Sequence, residues 1–238
     1  MSRIVSGLVI TLTLNFIVST PVSGQIVTTV SAQNDLRFRG RSLSEGDPVA
    51  TLSLNYDDPS GLYIGTSATV RLGTQTGLVA QQFFAGRAVR ITKDTSLDFG
   101  ANGYRYTSIY SGRIRQAYAE VYAGVTHKDV SLYVNYTADY FGQSVPVVYA
   151  SGSVVRDIAP GWQLRAAAGV LTQTSGPPRL GTASLRYDLS IGASRQLSRL
   201  TLAADATLGG PGGGSVGDYY SGPWRGRAAL VISARSSF

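Results

Sequence analysis

From Gln25 to Phe238 the chain alternates apolar and polar residues in one run after another. A two-residue period is the pattern of a strand whose two faces meet different surroundings. Twelve such runs can be read, at 26–39, 49–56, 62–72, 79–91, 96–106, 114–126, 130–140, 147–156, 162–172, 182–193, 200–208 and 224–238. In the first, Ile26, Thr28, Val30, Ala32, Leu36 and Phe38 share one face. Thr29, Ser31, Gln33, Asp35, Arg37 and Arg39 share the other. The fourth run breaks its alternation around Phe83-Phe84, which leaves its facing open.

All but one of the runs reach the roughly 9–11 residues a tilted strand needs to cross a bilayer, and one face of each is almost free of charge. The expected fold is an all-β, transmembrane, antiparallel up-and-down barrel of twelve strands. Ten or fourteen remain open because residues 78–116 are the least regular. A soluble β-sandwich also alternates, but its strands average 5–6 residues and its outer face is polar. An even strand number puts both termini on one side, the periplasmic side in single-chain bacterial barrels. The connections agree: DDPSG (57–61), HKD (127–129) and DIAPG (157–161) are short, while 173–181 and 209–222 are long and expected outside.

The N-terminus changes the picture of where the chain goes. Arg3 precedes an apolar run from Ile4 to Val18, and Val22-Ser23-Gly24 offers small residues for cleavage. This is the form of a secretion signal. Residues 1–24 are therefore expected to be a signal peptide and 25–238 the mature barrel, with Val30-Ser31-Ala32 a second cleavage candidate. The chain would end in the bacterial outer membrane, in contact with its lipid. Its last strand, closing on Phe238, would be read by the outer-membrane assembly machinery.

Composition narrows the chemistry. Charged residues are 15%, Gly numbers 28 and Tyr 14, and there is no Cys. The missing Cys excludes a lipoprotein anchor, thiolate metal sites and a Cys nucleophile. The formal net charge of +7 comes mostly from Arg spread along the strands, which with export argues against nucleic acid. Tyr56, Tyr63 and Trp162 at one set of strand ends suit an interface girdle, as do Tyr104, Tyr106, Tyr140, Phe141 and Trp224 at the other.

Several stretches resemble the TorF-type porin family. Asn34-Asp35-Leu36-Arg37-Phe38-Arg39-Gly40, followed by Ser42 and Gly46-Asp47-Pro48, is similar to its opening strand and first loop. Gly61-Leu62-Tyr63-Ile64-Gly65 is similar to its third-strand start. Glu120-Val121-Tyr122-Ala123-Gly124 and Tyr136-Thr137-Ala138-Asp139-Tyr140-Phe141-Gly142 resemble its central hairpin. Leu36 and Asn34 depart from the family pattern. The resemblance covers most of the mature chain and implies an outer-membrane barrel acting as a porin, with no defined substrate.

A charge facing lipid at the midplane costs roughly 2–4 kcal/mol, so the ionic side chains of the strands are expected in the lumen. The pore-lining candidates are Asp35, Arg37, Arg39, Arg71, Asp98, Glu120, Asp139, Arg165, Arg186, Asp188, Asp205, Arg225, Arg227 and Arg235. Closure would set Arg37 and Arg39 beside Arg225, Arg227 and Arg235, a cluster that Asp35 alone would hardly neutralise. Arg favours anions and grips carboxylate or phosphate in a fork. The expected function is passive diffusion of small hydrophilic solutes or ions with weak anion selectivity. A narrow or plugged structural barrel is the alternative, and a barrel enzyme another. No enzyme is expected: the single His, His127, falls in a turn next to Lys128 and Asp129, and a Ser nucleophile needs a base in reach. Gly209 to Gly217 lacks the Lys-Ser/Thr of a phosphate loop. No cofactor or metal is expected.

Overall fold

The computed structural model describes residues 24–73, 76–107, 115–176, 185–210 and 228–238. Twelve strands form a closed antiparallel barrel: β1 (Gln25–Gln33), β4 (Val49–Asp57), β5 (Leu62–Arg71), β6 (Gly77–Arg90), β7 (Thr95–Thr107), β8 (Arg115–His127), β9 (Val130–Thr137), β10 (Val147–Ala159), β11 (Trp162–Gln173), β12 (Leu185–Leu197), β13 (Leu200–Gly210) and β14 (Ala228–Ser237). A two-residue hairpin pair, β2 (Arg37–Phe38) and β3 (Arg41–Ser42), stands apart from the wall. Each barrel strand pairs with its sequence neighbour, and β1 pairs with β14 to close the ring. Closure leaves no free edge, the arrangement that satisfies every backbone group without water. The seam is tied at its end by Phe238 N–H donating to the Thr28 carbonyl at 2.8 Å, with Thr28 returning the bond at 3.1 Å.

The alternation becomes a sorting of sides. Ile26, Leu52, Ile64, Leu132, Ile191 and Leu230 lie on the outer surface, each about half or more exposed. Between them the inward positions carry Ser, Thr, Gly, Tyr and most of the ions. An exposed belt of large apolar side chains around a whole barrel is the reverse of a soluble protein and suits a hydrocarbon solvent.

The irregular fourth run has a physical cause. The β5–β6 register shifts between Thr69 and Val70, where Val79 is an extra residue against the partner strand. A bulge of this kind inserts one residue and flips the facing that follows. Phe83 therefore points outward and Phe84 inward, at 58% and 8% exposure.

The first run is shorter than its alternation implied. The wall strand stops at Gln33, not Arg39. At that point the Asn34 side chain takes over the ladder to β14: its Nδ2 donates to the Leu230 carbonyl at 3.0 Å, and Ile232 N–H donates to its Oδ1 at 2.8 Å. The chain then turns inward, and Leu36 and Phe38, expected against lipid, are buried at 1% and 2% exposure.

Candidate lumen site

Residues 34–48 form a hairpin inside the barrel, organised around one carboxylate. Asp35 Oδ1 accepts from the Ser42 and Ser44 hydroxyls at 2.5 and 3.1 Å. Its Oδ2 accepts from Arg37 Nη1 at 3.0 Å, and Arg37 Nη2 donates to the Gly40 carbonyl at 2.7 Å. The tip turns at Arg39 and Gly40, with φ of 49° and 76°. Two successive positive φ values are what a tight two-residue hairpin turn needs. Glycine takes such a value freely; Arg39 does so at a cost, which places a charged side chain at the tip.

Arg39 is fastened to the far wall. Its Nη1 and Nη2 donate to the two carboxylate oxygens of Glu120 on β8, both at 2.7 Å. The guanidinium also lies 4.1 Å from the Tyr149 ring centroid and 4.7 Å from that of Phe38. A planar, forked cation that stacks on rings while pairing a carboxylate is a use that Lys cannot match. Both partners are buried, with side-chain exposures of 4% and 1%.

The hairpin packs against an aromatic cluster. Phe38, Tyr104, Tyr106, Tyr118, Tyr140, Phe141 and Tyr149 form one buried group with Val145, Val147 and Leu171. Tyr104 and Tyr118 stack at 4.9 Å, and Tyr106 and Phe141 at 5.1 Å. Tyr104, Tyr106, Tyr140 and Phe141, expected in an interface girdle, therefore fill the lumen at one end. Tyr63 does the same at the other end, with Phe84, Tyr122 and Tyr133. There Asp98 accepts from the Tyr63 hydroxyl at 2.6 Å and the Tyr133 hydroxyl at 2.9 Å, and the hydroxyls of Tyr63 and Tyr122 touch. Glycines make room: a Cβ at Gly86 would strike Tyr63, and one at Gly124 would strike Tyr133. Tyr56 and Trp162 face outward, 40% exposed, as a girdle requires. Trp224 lies outside the described residues.

Of the candidates, Asp35, Arg37, Arg39, Arg71, Asp98, Glu120, Arg165, Arg186, Asp188 and Asp205 are buried inside the barrel. Arg235 is half-buried on the inward face of β14, opposite Ser31 and Thr201. Asp139 is not a lumen strand residue. The wall strand β9 ends at Thr137, and Asp139 is exposed in the following turn, where its Oδ1 accepts from Ser144 N–H at 2.5 Å. Arg225 and Arg227 lie outside the described residues. The expected arginine cluster at the seam is also corrected. Arg37 and Arg39 sit in the inward hairpin rather than the wall, and each has a carboxylate of its own. Arg165 pairs with Asp205 at 2.6 Å and Arg71 with Asp47 at 3.2 Å. Burial enforces this, because an ion without a partner in a lumen packed with rings loses its hydration for nothing.

The lumen is lopsided. The tyrosines come mostly from β5 to β9, whereas β12 to β14 show Ser190, Gly192, Ser194, Ala203, Thr207 and Ser233 inward. A pocket of about 470 Å³, counting its open mouth, lies between that small-residue wall and the hairpin. It is lined by Gln33, Asp35, Arg37, Arg39, Asp188, Ser190, Asp205 and Thr207 among others. His127, the last residue of β8, is exposed, its Nδ1 2.9 Å from the Thr95 hydroxyl. Among the described residues no group of three or more His, Asp or Glu side chains is placed to hold a metal ion.

These features define a class: a closed twelve-stranded barrel with an apolar exterior, a charged interior and an inserted hairpin. The chain belongs to a bacterial family described as a protein of unknown function, Gcw_chp, whose model matches residues 19–208. Among solved structures, a NanC porin is similar at a TM-score of 0.54 and 11% identity, over 88% of this chain and 97% of that one. A KdgM porin is similar at 0.52 and 7%, over 89% and 99%. The KdgM porin in complex with disordered oligogalacturonate is similar at 0.51 and 6%, over 90% and 99%. At such identities the likeness establishes the porin-like fold. No curated protein matches the chain.

Proposed function

We propose that this protein is an outer-membrane porin of narrow bore that passes small hydrophilic solutes and favours anions weakly. The observation that carries the reading is the sorting of side chains: large apolar residues outside a closed ring, paired ions within it. Residues 1–24 serve as the signal peptide and 25–238 as the mature barrel. The short turns and both termini face the periplasm. The strand ending at Phe238 is the segment offered to the assembly machinery. The TorF-type resemblance of the opening strand supports the same reading. Passage runs beside the hairpin, along the small-residue face of β12 to β14, lined by Arg37, Arg39, Asp188 and Asp205. Pairing of most lumen arginines keeps the anion preference modest. An acidic oligosaccharide in the KdgM porin is in keeping with that sign of selectivity.

The test is reconstitution of the refolded barrel in a planar bilayer, with single-channel current and reversal potential read in a KCl gradient. Discrete steps with an anion-favouring potential support the proposal; a cation preference removes the selectivity. Silence from a correctly folded barrel favours the second reading, a plugged structural barrel. That reading draws on the aromatic cluster of Tyr104, Tyr106, Tyr118, Tyr140 and Phe141, which fills the lumen beside the hairpin.

A further inference from the structure

Four arginines among the described residues are on the wrong side of the wall for a pore, and three of them lie near one rim. Arg87 on β6, Arg156 on β10 and Arg195 on β12 are exposed, two or three residues before their strands end at Arg90, Ala159 and Leu197. Their cross-strand neighbours face outward and are apolar. Arg87 stands between Leu62 and Phe99, Arg156 beside Leu164, and Arg195 between Trp162 and Leu202. The Arg195 guanidinium lies 5.2 Å from the Trp162 ring centroid. Because β6, β10 and β12 run in the same direction, all three arginines sit near one rim, the rim of the short turns and of Phe238. None of the three is ion-paired among the described residues.

An unpaired guanidinium amid lipid-facing Leu, Phe and Trp keeps its charge only by reaching the headgroup layer. There it meets phosphate, which it grips through two N–H bonds. We propose that Arg87, Arg156 and Arg195 form a belt that binds anionic phospholipid headgroups at this rim. The inference rests on the outer-membrane reading above and deepens it: the rim of short turns is the one embedded in a phospholipid leaflet. Near the opposite rim Arg105 is exposed between Gln81 and Ala117, which supplies a control.

The experiment is native mass spectrometry of the refolded protein, titrated with phosphatidylglycerol or phosphatidylcholine. Both lipids carry phosphate; only the first carries a net charge. Phosphatidylglycerol should be held more tightly by roughly fivefold per arginine, the weight of one cation at an anionic surface. The variant R87Q/R156Q/R195Q should lose that preference, the corresponding triple Lys variant should keep most of it, and R105Q should leave it unchanged. Equal retention of the two lipids by the wild type, or a triple Gln variant that binds like the wild type, overturns the belt. Displacement of the lipid by millimolar inorganic phosphate overturns it too, in favour of a free-anion site. Failure of the wild type to insert into vesicles would sink the membrane reading and this one together. A conducting barrel with no lipid preference would sink this one alone.

Discussion

The fork between Arg39 and Glu120 should behave as a clamp, and a double-mutant cycle can weigh it. Glu120→Ala strands a guanidinium that is buried at the hairpin tip, 4.1 Å from the ring of Tyr149. Removing one partner of a buried pair costs about 3–5 kcal/mol, most of it the stranding of the other charge. Removing both partners avoids that cost, so R39A/E120A should be less destabilised than the sum of R39A and E120A, with a coupling of about 2–3 kcal/mol. The assay is urea unfolding in lipid vesicles, with E120A showing the larger loss because an acid without its cation can protonate whereas Arg cannot. The chain has no Cys, so a Ser42→Cys reporter reads the hairpin independently. Ser42 is 2% exposed, and its thiol should resist a water-soluble maleimide until E120A is added. Strictly additive losses, or a reporter equally protected with and without Glu120, would refute the clamp.

Three further outcomes follow from the same geometry. Leu132→Arg places a charge on the outer face and should lower stability in vesicles by about 2–4 kcal/mol, whereas Ser153→Arg, on the inward face of the adjacent strand, should cost far less; equal losses by urea titration would contradict the assignment of faces. Gly169→Ala would put a Cβ against the Tyr149 hydroxyl and Asp188, and should cost about 1–3 kcal/mol, read as a lowered unfolding midpoint. Phe141→Ala removes a ring stacked on Tyr106 and tilted against Tyr118, costing about 3–5 kcal/mol while leaving single-channel conductance little changed, because the proposed path runs along β12 to β14. A severalfold rise in conductance in that variant would move the solute path to the cluster.

How much of this was legible beforehand differs from element to element. Strands such as β9 and β13 could be read residue by residue, because each wall position meets either hydrocarbon or lumen and the pleat alternates them. The bulge at Val79 was visible only as a disturbance. Its size depends on how β6 pairs with β5, and a single strand does not carry its partner's register. The inward hairpin escaped because Leu36 and Phe38 keep the same two-residue period that a lipid-facing strand shows. A hairpin packed on a core obeys that period as well, so alternation reports extended backbone and not what lies beyond it.

The lumen candidates divide in the same way. Strand alternation is enough to turn Asp98, Arg165, Arg186 and Asp205 away from the apolar face, since a charge at the lipid midplane is costly and only rim positions such as Arg87, Arg156 and Arg195 share that side by reaching the headgroups. The sequence also determined the barrel class, through twelve charge-poor faces and short turns. Tertiary structure alone decided which ion meets which: Arg39 and Glu120 are 81 positions apart, and only closure of the ring sets β8 across from the hairpin. It alone decided that Tyr104, Tyr106 and Phe141 fill the interior rather than ring the rim. An aromatic ring is equally at home at a membrane interface and in a packed core, and the choice falls to whichever neighbours the closed wall brings within contact.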